Sequence, residues 1–479
     1  MTKQFPKDFV FGAATAAFQA EGGVHEGGRG PCYWDEYLHR PESTFNGDHA
    51  SGFYYKFKED LAHAKEFGLN GIRISIAWTR VIPDGDGEVN QAGIDFYHEL
   101  IDECWKNGIE PYVTLHHFDT PLPLHKSGDW LDRKNIKNFK RFAKVCFEEF
   151  GDKVNKWITI NEPWSLVAGQ YIIGHFPPNT RYSVKDAVEA MHNMMVAHAE
   201  AVKTFKESAV SGEIGIVHIL ESKYPITESE ADREAAKRED VLANQFMLDA
   251  NYKGAYSEET LAYIRKILSY SGDSFEPSAE DMELISEVSA QNDFIGVNYY
   301  ASHFIASYDG ESEIVHNGTG EKGSSVFALK GIGKRVDNPN IPKTDWDWPI
   351  YPKGLYDMIM RLYTDYPEHK KIYVTENGLG YKDDFNGGNI QDDARIDYIS
   401  QHLNAVLEAI EDGADVRGYF LWSLMDVLSW TNGFNKRYGF LYVDFDTQDR
   451  YVKKSGRWMK KVTEENQLVS ADDVEYIEY

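Results

Sequence analysis

Cysteine, long apolar runs and positive charge are all scarce in this chain of 479 residues. Its 3 cysteines, Cys32, Cys104 and Cys146, lie far apart, which argues against a disulfide framework or a metal-ligand motif and fits a reducing cytosol. No segment approaches the ~20 consecutive apolar residues of a membrane helix. The apolar stretch 9–20 is too short for one and lacks the features of a signal peptide. We therefore expect a cytoplasmic protein.

Basic residues are outnumbered, with 50 Lys and Arg against 77 Asp and Glu and a net charge of −27. A basic surface large enough to bind nucleic acid or an anionic membrane cannot be assembled from this composition. An anionic ligand would need a local cluster of cationic side chains, because the field of the whole protein opposes its approach. At 42% hydrophobic residues, the chain still has ample material for a large buried core.

Eight short runs rich in β-branched and aromatic residues alternate with amphipathic stretches that have helical spacing. From Ile396 to Ile410, for example, apolar residues recur at steps of three and four, and Gly413 follows the pattern. The predicted strands are 9–14, 71–76, 110–115, 156–160, 213–218, 293–299, 371–375 and 417–422.

Strands that alternate with helices pair in parallel through right-handed crossovers, and eight such units favour an α/β fold with one closed (β/α)8 barrel. The alternative, two doubly wound domains, would need a linker, and no Pro-, Gly- or Ser-rich segment serves as one. We therefore predict a single domain over residues 1–479. Segments 22–50, 309–348 and 426–451 are predicted to be long loops over the barrel mouth, where active sites of this fold lie.

Two of the predicted strands run directly into a glutamate, Glu162 after 156–160 and Glu376 after 371–375. A carboxylate there is costly unless it is paired, so each could cap the next helix or bind a barrel arginine such as Arg73. Two facing carboxylates in a closed pocket also suit the hydrolysis of a glycosidic bond. Burial and mutual repulsion would separate their pKa values, so that one donates a proton while the other attacks or activates water.

The residues around the glutamates resemble the two signatures of glycoside hydrolase family 1, Asn161-Glu162-Pro163 and Thr375-Glu376-Asn377-Gly378. The resemblance implies a retaining β-glycosidase on a (β/α)8 barrel. It implies no metal or organic cofactor, because carboxylates do the proton and nucleophile chemistry. The likeness covers essentially the whole chain, with further matching motifs at 9–22, 73–78, 115–119, 298–300, 422–426 and 438–439.

Carried over to this sequence, the resemblance makes Glu162 the acid/base and Glu376 the nucleophile. His116 competes with His117 for its assignment, and Trp422 could instead fill the core. Phe118 stands where the family more often has Trp, which leaves the packing beside the sugar open. The residues matched to sugar-binding positions are Gln19, His117, Asn161, Asn298 and Trp422, and those matched to positions that touch the nucleophile are Arg73 and Tyr300.

The segment 429–438 is the most informative about the substrate. Family members that act on plain glucosides or galactosides usually have Glu where this chain has Ser429. A carboxylate there would repel a nearby phosphate by roughly 1–4 kcal/mol, whereas Ser429, Lys436 and Tyr438 would form a small anion-binding site. The pattern resembles the branch of the family that acts on 6-phosphorylated sugars. The alternative is a surface loop with a solvated Lys436–Arg437 pair.

Trp430 bears on the choice between galactose and glucose. Its indole N–H could donate to a 4-hydroxyl, and the resemblance associates Trp here with 6-phospho-β-galactosides and a small residue with 6-phospho-β-glucosides. One such contact decides about 1–3 kcal/mol, so dual activity stays open. Trp348 is a candidate wall of the aglycone site, and its alternative is a packed loop aromatic.

We therefore expect retaining hydrolysis of 6-phospho-β-galactosides, such as lactose 6-phosphate, with a functional link to a phosphorylating sugar importer. A nucleic acid or membrane partner is not expected. Three alternatives stay open: a 6-phospho-β-glucosidase or dual-specificity enzyme, a catalytically silent sugar-phosphate-binding protein, and a non-hydrolytic barrel enzyme such as an aldolase. The last would need a catalytic lysine at a strand end, and the sequence offers none.

Overall fold

The computed structural model describes residues 3–366, 368 and 371–474. Its strands are β1 (Val10–Ala14), β2 (Gly71–Ser75), β3 (Glu110–His116), β4 (Lys156–Asn161), β5 (Glu213–Ile219), β6 (Lys223–Pro225), β7 (Phe294–Asn298), β8 (His303–Ala306), β9 (Glu313–Val315), β10 (Val326–Leu329), β11 (Gly333–Val336), β12 (Ile372–Asn377), β13 (Val416–Trp422), β14 (Leu441–Val443) and β15 (Arg450–Val452). Its α-helices are α1 (Ala17–Ala20), α2 (Tyr33–Leu38), α3 (Phe53–Glu66), α4 (Trp78–Val81), α5 (Gln91–Lys106), α6 (Leu122–Lys126), α7 (Lys134–Phe150), α8 (Pro163–Val167), α9 (Val184–Glu207), α10 (Glu230–Asp240), α11 (Phe246–Lys253), α12 (Glu258–Ser269), α13 (Ala279–Ser289), α14 (Pro352–Asp365), α15 (Asp393–Glu411) and α16 (Lys454–Glu465).

Eight strands close into a barrel in the order β1-β13-β12-β7-β5-β4-β3-β2, and every neighbouring pair is parallel. Helices lie between successive strands, which confirms the predicted (β/α)8 barrel. All eight predicted strands are present, with ends that differ by one or two residues. The differences matter at two ends, because β4 includes Asn161 and β12 includes Glu376.

The helical pattern of the sequence is confirmed in α7 and α15. The apolar residues spaced at three and four face inward, as the buried Ile396, Ile399 and Leu403 show in α15. That helix ends at Glu411, shortly before Gly413, whose φ of 103° lies in a region that favours glycine.

Two of the predicted loops carry regular structure. Segment 309–348 contains β9, β10 and β11, which join β6 and β8 in a five-stranded sheet of order β6-β8-β11-β10-β9. In β9 the buried Ile314 lies between two exposed residues, the alternation of a strand with one covered face. Segment 22–50 contains α2, and segment 426–451 contains β14 and the start of β15.

Large aromatic rings fill the barrel below its mouth, and glycines make room for them. The rings of Tyr112 and Phe420 meet edge to face at 4.7 Å between centroids. A Cβ atom on Gly12 would lie 2.3 Å from Phe420, so the neighbouring strand can approach only because Gly12 has no side chain. The barrel interior is thus closed below the site, and the cavity lies above it.

The structure also shows the state of the cysteines and the outcome of searches for a membrane-spanning helix and a metal-binding group. Cys32, Cys104 and Cys146 are buried and free. In the ranges the structure describes, no helix combines the length and apolar character needed to cross a membrane. Those same ranges contain no group of three His, Cys, Asp or Glu side chains arranged to hold a metal ion.

Candidate active site

The two glutamates stand on different sides of the barrel, both at the carboxyl ends of strands. Glu162 follows β4 and has a left-handed φ of 44°, and Pro163 then begins α8. Glu376 lies within β12, in register with Asn298 of β7. Two strands, β7 and β5, separate β12 from β4 in the barrel order, so the carboxylates face each other across the mouth.

Glu376 is buried and held by two donors. The Arg73 guanidinium donates to its Oε1, and the Tyr300 hydroxyl donates to its Oε2 at 2.6 Å. Burial raises the pKa of Glu376, while the charge of Arg73 and the hydrogen bond from Tyr300 lower it. Because a fully buried cation pairs with it, Glu376 is the carboxylate of the two that is equipped to carry a negative charge.

Among the described residues, no cation forms an ion pair with Glu162. Burial raises its pKa to about 8, and repulsion by Glu376 adds to that rise. The side-chain amide of Asn298 donates to Glu162 Oε1 at 2.5 Å, which partly offsets the rise. Since its raised pKa lies above neutrality, Glu162 is the carboxyl group suited to hold a proton and donate it.

A chain of amides connects the two carboxyl groups beneath the cavity. Asn161 Oδ1 accepts from Arg73 Nη2 at 2.6 Å and from Asn298 Nδ2 at 3.1 Å. Thr375 donates to Asn298 Oδ1 at 2.7 Å, which fixes the orientation of that amide. Asn161 Nδ2 lies 3.2 Å from His117 Nε2, so the nitrogen of the ring accepts and Nδ1 carries the proton. Burial lowers the pKa of His117 well below its ordinary range, in keeping with a neutral ring.

A cavity of about 390 Å³ opens above these residues. Gln19 donates to the Leu428 carbonyl at 2.7 Å, and its buried Oε1 has no partner among the described residues, so it is free to accept a hydrogen bond from a ligand. The residues predicted from the sequence that line the cavity are Gln19, His117, Asn161, Glu162, Tyr300, Trp348, Glu376, Trp422, Ser429, Trp430, Lys436 and Tyr438. Arg73 and Asn298, both fully buried, lie behind this wall and act through the side chains they bind.

The segment 429–438 folds back on itself at the cavity rim. Ser429 and Gly433 exchange backbone hydrogen bonds of 2.9 Å in both directions. Lys436 is only 2% exposed and lines the cavity, whereas Arg437 points to the opposite side and pairs with Asp426 at 2.6 Å. Neither cation is therefore a solvated surface charge.

Lys436 is surrounded by aromatic rings. Its Nζ lies 3.5 Å from the ring centre of Trp348, 4.8 Å from that of Trp346 and 5.5 Å from that of Tyr438. No described residue forms an ion pair or a hydrogen bond with this Nζ. Burial lowers the pKa of Lys436 well below its ordinary range. The site therefore contains a buried cation-forming group that lacks a counter-ion.

Trp430, predicted to distinguish galactose from glucose, and Trp348, the candidate wall of the aglycone site, occupy different surroundings. Trp430 is stacked on Phe18 at 5.8 Å and on Trp34 at 4.8 Å between ring centres, which fixes the plane of its indole. Trp348 lies edge to face against Tyr300 at 5.6 Å. Trp348 thus joins the surroundings of Lys436 to those of Glu376, because Tyr300 is bonded to Glu376.

Sequence reasoning missed several residues that line the cavity. His316 bonds Thr431 at 2.8 Å, and its ring contacts His175 at 4.4 Å. Asn432 accepts from Ser429 at 3.2 Å. Asn432 could have been found from its place beside Ser429, whereas the two histidines lie far apart in the chain and follow no motif.

Two buried carboxyl groups at the mouth of a (β/α)8 barrel, one of them paired with an arginine, are the arrangement of a glycoside hydrolase. The model of glycosyl hydrolase family 1 matches residues 1–468. A 6-phospho-beta-galactosidase of Clostridium acetobutylicum is 60% identical over 472 residues, which are 98% of this chain and 99% of that protein. The chain therefore belongs to glycosyl hydrolase family 1.

Solved structures of this family have the same fold. A family 1 β-glucosidase from Thermotoga maritima is 35% identical, with a TM-score of 0.88 over 98% of this chain and 100% of that one. The same enzyme in complex with isofagomine lactam gives a TM-score of 0.87 at 35% identity, with the same coverage.

Proposed function

We propose that this protein is a retaining 6-phospho-β-galactosidase that hydrolyses substrates such as lactose 6-phosphate to galactose 6-phosphate and the aglycone sugar. The observation that carries the proposal is the position of Lys436, a buried lysine without a counter-ion in the same cavity as Glu162 and Glu376. The 60% identity to a protein named 6-phospho-beta-galactosidase supports the same substrate class.

The reaction takes two displacements, with Glu376 as nucleophile and Glu162 as acid/base. Glu376 attacks the anomeric carbon and forms a covalent glycosyl-enzyme, while Glu162 donates its proton to the leaving glycosidic oxygen. Glu162, now ionised, then takes a proton from water, and the resulting attack on the anomeric carbon releases Glu376. The raised pKa of Glu162, about 8, supports its role as the acid/base, and the ion pair with Arg73 supports the role of Glu376 as the nucleophile.

The remaining cavity residues hold the sugar in this proposal. Asn161 is anchored through its Oδ1, so its amide group is fixed beside the acid/base and binds the 2-hydroxyl. Gln19 accepts a sugar hydroxyl with its unpartnered Oε1. His117 and Trp422, whose rings stack at 5.9 Å, form one wall for the sugar ring.

Ser429, Lys436 and Tyr438 bind the 6-phosphate. Lys436 supplies the charge, and the Tyr438 hydroxyl donates a hydrogen bond to a phosphate oxygen. The Ser429 hydroxyl, which donates to Asn432 at 3.2 Å in the free protein, turns to donate to the phosphate when it binds. A glutamate in place of Ser429 would oppose the phosphate by roughly 1–4 kcal/mol. A local site of this kind is needed because the chain as a whole carries a net charge of −27.

Trp430 sets the preference for galactose over glucose in this proposal. Its stacking on Phe18 and Trp34 holds the indole rigid, so its N–H has a fixed direction toward a 4-hydroxyl. The alternative is a 6-phospho-β-glucosidase or an enzyme with both activities. Trp348 remains a candidate wall of the aglycone site, because it lines the cavity.

A phosphorylated disaccharide is produced by an importer that phosphorylates its cargo. The proposal therefore includes a functional link to such an importer and action in the cytoplasm, by one barrel domain that spans residues 1–479.

Initial rates on four nitrophenyl β-glycosides test the proposal: the galactoside, the glucoside and the 6-phosphate of each. We expect a strong preference for the phosphogalactoside. Comparable rates on both phosphosugars would keep the phosphate site and remove the role of Trp430. Faster hydrolysis of the plain sugars would contradict the phosphate site, and tight binding of phosphosugars without turnover would indicate a sugar-phosphate-binding protein.

A further inference from the structure

Lys436 and Lys453 are both almost fully buried, yet their surroundings are opposite. Lys453 pairs with Asp383 at 2.5 Å and with Asp426 at 2.6 Å. Around Lys436 the described residues place no carboxylate within ion-pair distance, and two indole rings take that place at 3.5 and 4.8 Å. An indole face attracts a desolvated cation, which opposes the effect of burial on the pKa of Lys436, so these rings can hold an ammonium without adding a negative charge.

The two indoles belong to one rigid turn. Thr344 N–H donates to the Trp348 carbonyl at 2.9 Å. The Thr344 hydroxyl oxygen accepts from the N–H groups of Trp346 and Trp348, each at 3.2 Å. One side chain therefore fixes the backbone of both tryptophans, from which both rings reach Lys436.

The turn contains two acidic residues, Asp345 and Asp347, and among the described residues neither forms an ion pair with Lys436. The carboxylate of Asp347 accepts from Gly323 N–H at 2.6 Å and Ser325 N–H at 3.0 Å, and it pairs with Lys343 at 3.2 Å. These partners satisfy Asp347, so the turn presents aromatic faces rather than a negative charge to Lys436.

A glycine closes the fourth side of this pocket. A Cβ atom on Gly380 would lie 2.3 Å from Cε of Lys436 and 2.9 Å from Cζ of Tyr438. The backbone at Gly380 therefore packs directly on the lysine stem, which leaves the stem no room to move toward β12.

We propose that Trp346 and Trp348 are positioning residues that hold the Lys436 ammonium at the phosphate site in the free enzyme and thereby set the selectivity for phosphorylated sugars. A carboxylate would hold the lysine as well, but it would repel the phosphate on arrival. The aromatic faces hold the cation and leave all its charge to the ligand. This inference rests on the proposed role of Lys436 as the phosphate ligand.

The test uses Trp348→Leu, Trp346→Leu and the corresponding Phe variants. The inhibition constant of galactose 6-phosphate is the main readout, because this product carries no aglycone. We expect each Leu variant to raise it about 5- to 30-fold, and each Phe variant to recover most of the loss, since Phe keeps an aromatic face. Trp105→Leu, at an exposed tryptophan of α5, is the control and should leave the constant unchanged.

The same variants separate this role from an aglycone wall. If Trp348 only contacted the aglycone, Trp348→Leu would change KM for lactose 6-phosphate and leave galactose 6-phosphate inhibition unaltered, which would overturn the inference. Gly380→Ala provides a second route, because its methyl group would displace Lys436 and crowd Tyr438 while both indole side chains are retained. It should raise the same inhibition constant, and an unchanged value would also contradict the inference.

Failure of the inference is distinguishable from failure of the proposed function. If Lys436→Met abolishes the preference for phosphorylated sugars while the Leu variants keep it, only the positioning role is wrong. If Lys436→Met keeps that preference, the phosphate site itself is wrong.

Discussion

Two ends of the cavity are built in opposite ways: the catalytic end at Glu376 and the phosphate end at Lys436, named for the roles that we propose. Glu376 is placed by a strand and is bonded by Arg73 and Tyr300 before any ligand arrives. Lys436 lies in a loop segment, and its ammonium meets only aromatic faces among the described residues. In the proposed function, the difference follows from what each end does: the nucleophile must be fixed in one geometry, whereas the phosphate ligand must keep its charge free until substrate binds.

The segment 429–438, which carries Lys436, is supported by ion pairs on the side that faces away from the cavity. Asp426 lies three residues before the segment 429–438 and pairs with Arg437 at 2.6 Å and with Lys453 at 2.6 Å. Its Oδ1 also accepts from Gly439 N–H at 2.9 Å. A saturated ionic network therefore supports the side of the segment that faces the protein, and the other side leaves Lys436 unpaired toward the cavity.

The largest expected effect is at the catalytic end. Glu376→Gln removes the nucleophile and should lower kcat by at least about 10⁴-fold. Binding of galactose 6-phosphate, measured by calorimetry, should persist, because the phosphate site is unchanged. Retained turnover would contradict the assignment of Glu376 as nucleophile.

The ionic network of Lys453, Asp383 and Asp426 should contribute strongly to the stability of the fold. Lys453→Met leaves Asp383 and Asp426 without their shared cation and should reduce the free energy of unfolding by about 3–5 kcal/mol. Urea denaturation followed by tryptophan fluorescence measures this. Lys58→Met, which breaks an exposed pair with Glu99, is the matched control and should cause no measurable change.

Removal of the unpaired cation should act on binding. Lys436→Met should lower kcat/KM for the nitrophenyl phosphogalactoside by about 2–4 kcal/mol, or about 30- to 1,000-fold. Lys382→Met is the control, because Lys382 also lies over the ring of Trp346, at 5.5 Å, but is exposed and does not line the cavity. Equal losses on the phosphorylated and plain galactosides would remove the phosphate role from Lys436.

The smallest expected effect is on the pH dependence of kcat/KM. Glu162 must be protonated to donate, so kcat/KM should fall above its pKa of about 8, by about tenfold per pH unit. The substrate phosphate has its second pKa near 6 and does not titrate in this range. In pH–rate profiles, this decline should persist in Lys436→Met and disappear in Glu162→Gln with an activated aryl substrate. A decline that survives in Glu162→Gln would assign the pKa to another group.

Much of the barrel was predictable because its strands are nearly continuous apolar runs between helices with clear periodicity. The carboxyl ends of β4 and β12 were harder to predict, since Asn161 and Glu376 are polar residues that sequence patterns assign to loops. They continue the strands because, after a shift of register, their backbones pair again with Val217 and Asn298 of the neighbouring strands. Such pairing is tertiary information, which no local pattern contains.

The sequence by itself determined the barrel, the two glutamates at strand ends and the replacement of an acidic residue by Ser429, because each is a property of residue type and order. Only the tertiary structure decided which glutamate receives Arg73 and which is left with a pKa of about 8. It alone also decided that Lys436 and Arg437, adjacent in sequence, face opposite ways, one into the cavity and one onto Asp426. The physical reason is that burial and the partner charges, which set pKa and ion pairing, depend on how the whole chain folds: Arg73 lies 303 positions from Glu376, and Asp426 lies 11 positions from Arg437.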